Sequence, residues 1–147
     1  MKQRRLFFIY NQETNKFLLL TIAKHSHHTP KDRMFTITEE ITNESDSNMG
    51  IIRKIKKETG LEIIEIFNLN WGSAYKEEKD EFKNMNFIAF VNSNRINLDG
   101  EYSKYGWLTL DDFIKKIDWE DSKELLKRVL IKGINREAYF DKKERGE

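Results

Sequence analysis

Residues 86–91 read Asn-Phe-Ile-Ala-Phe-Val, an apolar run broken by no charge or turn former after its first residue. A run of that length, rich in aromatic and β-branched side chains, reads as a buried strand. Leu6–Tyr10 is also aromatic and aliphatic, Asn11–Asn15 is turn-rich, and Phe17–Ile22 is apolar again. That succession predicts strand, tight turn, strand: a β-hairpin. Only one proline, Pro30, is present, so the turns are carried by Gly, Asn, Asp and Ser.

Helices interrupt the strands. Asp46–Thr59 has Ile51, Ile52 and Ile55 at helical spacing, with Ser45, Asp46 or Ser47 as the N-cap. Gly60 follows where a helix ends in the left-handed conformation. Leu61–Phe67 reads as a strand, Asn70–Lys83 as a strand running into a charged turn, Arg95–Lys104 as a loop and Tyr105–Leu108 as a short strand. Thr109 caps a helix carrying Phe113, Ile114 and Ile117. Asp118 is the expected cap of a second helix holding Trp119, Leu125, Leu126, Val129 and Leu130. His25–Glu44 is mostly polar and reads as a long loop with one short strand near Met34–Ile37. Together these predict a single α/β domain over 1–147, with a frayed charged tail from 141.

Composition excludes several functions. The formal charge is +1, which argues against a basic nucleic-acid binder. There is no cysteine, so thiolate metal sites, disulfides and cysteine nucleophiles are ruled out. The apolar runs are far shorter than the ~18 residues of a membrane helix, and the apolar stretch near the start is too short for a signal peptide. The expectation is a cytoplasmic protein.

Arg53-Lys54-Ile55-Lys56-Lys57-Glu58-Thr59-Gly60-Leu61 resembles the second half of the Nudix box, G-x5-E-x7-R-E-U-x-E-E-x-G-U, where U is a bulky aliphatic residue. Arg53, Ile55, Glu58, Gly60 and Leu61 match. The back half, Glu101–Leu108 followed by two helices, is similar to the diadenosine tetraphosphatase and dNTP pyrophosphohydrolase-like subgroup. The resemblance implies a Nudix-type α/β/α sandwich with a mixed central sheet, box helix on one face and C-terminal helices on the other. It also implies magnesium or manganese as cofactor where the protein is active, and a nucleotide or other phosphorylated small molecule as partner.

The box is degenerate. Counting back from Arg53, its glycine falls at Glu39 and its first glutamate at Ser45; Lys54 and Lys57 replace two of its helix glutamates. Positions 54, 57 and 58 share one helix face, roughly 100° from the isoleucine stripe. Two ammoniums and one carboxylate therefore stand where the family has three carboxylates, and an ammonium has no lone pair for a metal. At ~4 Å and an effective dielectric of ~20, each like-charge pair costs about 4 kcal/mol, and a dication doubles it.

The resemblance makes Glu58 the candidate catalytic and metal residue, with Glu44 as a second ligand and Glu101 as a carboxylate outside the box. For Glu58 an intrahelical pair with Lys54 competes with that role. Lys54 and Lys57 read as a phosphate clamp or as a solvated helix face. Tyr105 reads as a platform for a purine or as rim packing. His25, His27 and His28 read as a surface loop or a substrate contact. Arg53 is expected to brace the loop through Glu39, Glu40 or Glu44, and Trp107 and Trp119 to lie in the core. The expected function is a divergent hydrolase of a nucleoside diphosphate-linked compound with weak or absent metal-dependent turnover. The alternative is a non-catalytic nucleotide-binding or protein-interaction domain on the same scaffold.

Overall fold

The structure, a computed structural model, describes residues 2–22, 32–41, 48–77, 80–98 and 102–139. The hairpin forms as expected. β1 (Lys2–Asn11) turns into β2 (Lys16–Ile22), with Tyr10 opposite Phe17. Asn11 shapes the turn: its side-chain oxygen accepts from the backbone N–H of Glu13 and Thr14. Asn15 closes it with a positive φ of 57° and accepts the Tyr10 hydroxyl at 2.8 Å.

The two strands part after this turn, and the fork between them is filled by a segment that sequence reasoning took for loop with one short strand. It holds two strands, β3 (Arg33–Phe35) and β4 (Ile37–Ile41). β3 pairs with β2 and β4 with β1, both antiparallel. Thr36 lies at the switch, buried, and its hydroxyl donates to the Phe7 carbonyl at 2.6 Å. A kinked pair of three- and five-residue strands leaves little periodicity to read.

α1 (Asn48–Thr59) follows, then the long hairpin of β5 (Glu65–Glu77) and β6 (Asp80–Val91). β6 lies parallel to β1 over ten residue pairs, from Lys2 beside Phe82 to Asn11 beside Val91. β7 (Tyr102–Leu108) pairs with β2. Among the described residues the sheet has seven strands and is mixed, as expected. Residues 61–64, read as the opening of a strand, are irregular, though Ile64 still donates its N–H to the Phe90 carbonyl at 2.9 Å.

β1 and β6 are buried on both faces, which is why they read as continuous apolar runs. Leu6, Phe8, Tyr10, Ile88 and Phe90 face α2 (Leu110–Lys116) and α3 (Lys123–Ile134), meeting Phe113, Leu126, Val129 and Leu130. Phe7, Ile9, Phe87, Ala89 and Val91 face α1, meeting Ile51, Ile55 and Leu61. The result is the three-layer α/β/α sandwich, box helix on one side and C-terminal helices on the other.

Thr109 caps α2, its hydroxyl accepting from the Asp112 N–H at 3.3 Å. Asp118 does not cap the second helix. Its carboxylate accepts the Met34 N–H at 2.8 Å, and its own N–H donates to the Met34 carbonyl. Trp119 accordingly lies outside the helix, in the connection, where its ring stacks on Phe35 and meets Phe8 and Trp71. Ser122 caps α3 instead, accepting from the Leu125 N–H. Beyond α3, Arg136 lies over the Phe90 ring at 3.8 Å and donates to Glu65 and Gln12. The N-cap candidates Ser45, Asp46 and Ser47, and the tail 141–147, lie outside the described residues.

Candidate functional site

Burial of Ile51 and Ile55 against the sheet fixes the rotation of α1. That rotation turns Lys54 and Lys57 to solvent and leaves Glu58 half-buried. The helix stops where the sequence says it should. Gly60 takes φ +75°, and the Thr59 hydroxyl donates to the Ile55 carbonyl at 2.7 Å. The loop after β6 then docks on this end, the Asn97 N–H donating to the Thr59 carbonyl at 2.9 Å.

The two departures from the box meet each other. Glu39 lies on β4, its side chain only 8% exposed, and Lys54 reaches it at 2.8 Å while remaining 58% exposed. The motif resemblance sets Glu39 against the box glycine and Lys54 against one of its glutamates, and the two side chains meet as acid and base. Sequence reasoning offered Glu39 to Arg53; the structure gives it to Lys54. Arg53 is exposed, and among the described residues no carboxylate pairs with it. The signal was present: Ile37 and Glu39 alternate with period two, which puts Glu39 on the inward face of a strand.

Magnesium and manganese need oxygen ligands. On this face one ammonium already holds the buried carboxylate, and Lys57 adds a second positive charge. Among the described residues no three of His, Asp or Glu gather closely enough to hold an ion. The described residues bring Glu58, half-buried, to this face, where Lys54 holds the carboxylate of Glu39. Glu44, Glu101 and the histidines 25, 27 and 28 lie outside the described residues.

Tyr105 is 47% exposed on β7. It lines an open cleft at the C-terminal end of α1 with Gly60, Asn94, Arg95, Ile96 and Asn97; Lys54, Lys57 and Glu58 are not in that lining. The structure thus groups Lys54, Lys57 and Glu58 on the helix face and sets Tyr105 apart. Asn94, Arg95 and Asn97 were missed by sequence reasoning, although Asn-Ser-Asn-Arg after a buried strand is a turn-forming run able to present side chains. Trp107, expected in the core, is instead half-buried at its edge, its Nε1 donating to the Asn94 carbonyl. On the opposite face of the sheet, Asn86 Oδ1 and Trp119 Nε1 are buried without a hydrogen-bond partner among the described residues. Both groups adjoin Trp71, one through its carbonyl and one through its ring.

No protein-family model and no curated protein matches this sequence. Solved structures do. The Caenorhabditis elegans Ap4A hydrolase binary complex aligns with a TM-score of 0.71 at 18% identity, over 92% of this chain and 98% of that one. The Escherichia coli dihydroneopterin triphosphate pyrophosphohydrolase gives 0.67 at 14%, over 90% and 95%. The Nudix domain of Shewanella oneidensis NrtR, solved with ADP-ribose, gives 0.64 at 14%, over 90% and 86%. The fold is that of the Nudix hydrolases.

Proposed function

We propose that this protein is a divergent member of the Nudix superfamily that binds a nucleotide or a nucleoside diphosphate-linked compound. Its metal-dependent pyrophosphohydrolase activity is weak or absent. The observation that carries this is the Lys54–Glu39 pair, which puts a fixed ammonium on the helix face where the family's metal chemistry needs carboxylate oxygens. Lys57, exposed on that face, is a cation available to attract phosphate. Lys54 contributes less, because its charge is already engaged. The nucleotide-linked chemistry of the structural neighbours supports the ligand class.

Thermal shift with Ap4A, ADP-ribose and a dNTP panel in excess chelator tests binding. A shift that falls in Lys57→Ala is expected. Phosphate or pyrophosphate release from the same panel with magnesium or manganese tests catalysis, and turnover well under 10 per second, the typical enzyme rate of about that size, is expected. Metal-dependent turnover near that rate, lost in Glu58→Gln, would instead establish an active hydrolase built on Glu58 with Glu44 or Glu101. No shift with any nucleotide would remove the ligand class.

A further inference from the structure

The open cleft at the end of α1 has a volume of about 550 Å³, within the range of small-molecule sites. Its wall is the loop after β6, and that loop is anchored on three sides. The Asn97 N–H is held by the Thr59 carbonyl at the helix end. The Asn94 carbonyl accepts Trp107 Nε1 from β7 at 3.2 Å, and the Asn94 side chain is held by Asn11 from the hairpin turn. The backbone is therefore preset while the side chains between the anchors face solvent.

Those side chains form a chemically coherent set. Tyr105 offers a half-exposed ring. Arg95 is exposed, and no carboxylate neutralises it among the described residues. Asn97 presents an exposed carboxamide, and Gly60, kept glycine by its positive φ, places no side chain over the opening. A ring to stack on, one guanidinium for a bidentate anion and an amide for a heterocycle edge match a ligand that is planar at one end and singly phosphorylated at the other.

We propose that this cleft is a second ligand site, taking a purine nucleoside monophosphate with its base on Tyr105 and its phosphate on Arg95. It uses none of Lys54, Lys57 or Glu58 and does not depend on the reading of that helix face. Trp107 borders the wall and gives an optical report.

The test is titration with AMP and GMP in chelator, followed by calorimetry and tryptophan fluorescence, with adenosine and ribose 5-phosphate as separate halves of the ligand. Saturable binding is expected in the wild type. Tyr105→Ala is expected to weaken AMP and adenosine tenfold or more. Arg95→Gln is expected to weaken AMP and ribose 5-phosphate by a similar factor while leaving adenosine unchanged. Both residues are exposed, and melting curves matching wild type confirm that the variants fold. Absence of AMP and GMP binding up to millimolar concentration, or binding unchanged in both variants, overturns the proposal. Binding lost only in Lys57→Ala also overturns it, since the ligand would then sit on the helix face.

Discussion

At Glu39 the carboxylate is nearly shut off from water and Lys54 supplies its cation. Replacing Lys54 with methionine strands that charge. Urea denaturation is expected to show a loss of about 1.5–2 kcal/mol, the lower part of the range for hydrogen bonds to charged groups, because the lysine end is largely in water. Glu39→Gln combined with Lys54→Met is expected to recover most of it, since the double variant leaves no uncompensated charge. Asp111 makes a contrasting pair on the surface. Lys127, hydrogen-bonded at 2.7 Å, holds its carboxyl below the ordinary value of 3.8, first through that bond and then through its charge. A carboxyl whose pKa falls on folding contributes stability above its ordinary value and loses it as pH drops through the lowered one. An NMR titration is expected to place the Asp111 midpoint below 3.8, moving upward in Lys127→Ala. The effect on stability is small, because the group is fully in water.

The elements divide by how local their causes are. The hairpin, α1 with its Gly60 stop and the Thr109 cap were legible because each rests on a few adjacent residues: an Asn-rich turn, an isoleucine stripe, a hydroxyl three residues before an N–H. The β3–β4 segment was not, because its reason is the fork between β1 and β2, formed by residues distant in sequence. Asp118 was misread for the same reason. A cap and a strand-docking carboxylate look alike until Met34 is known to lie beside it. On the helix face, the spacing put Lys54, Lys57 and Glu58 side by side, but the partner of Lys54 could not be read from it. The fork gives an element-scale test. Thr36→Val keeps the shape and removes the hydroxyl that satisfies the Phe7 carbonyl, so a loss of about 1–2 kcal/mol is expected by chemical denaturation. On α3, a Cβ at Gly133 would lie 2.5 Å from the Leu69 side chain and 3.3 Å from Ile88, so the helix packs there against the sheet at backbone distance. Gly133→Val is expected to cost about 2 kcal/mol through overpacking, with a lower Tm in calorimetry.

Across the whole molecule, two cores are separated by one sheet, and β1 and β6 belong to both. A sheet shared in this way couples the two sides. Ile55→Ala on the α1 side is expected to cost about 2–5 kcal/mol, and Phe113→Ala on the other about 3–5 kcal/mol. Each is expected to lower one common unfolding transition, with tryptophan fluorescence and far-UV circular dichroism still coinciding. Separate transitions for the two sides would show that the sheet does not transmit between them.

The central parallel pairing has a further consequence in the cell. Arg4 lies beside Asn84, eighty residues along the chain. A ribosome adds roughly 5–20 residues per second, so β1 waits on the order of 4–16 s for that neighbour to be synthesised. During that interval β1 lacks its parallel partner and has only β2, β4 and α1 for cover. Slowing elongation before residue 84 is expected to raise aggregation of the nascent chain more than slowing it afterwards.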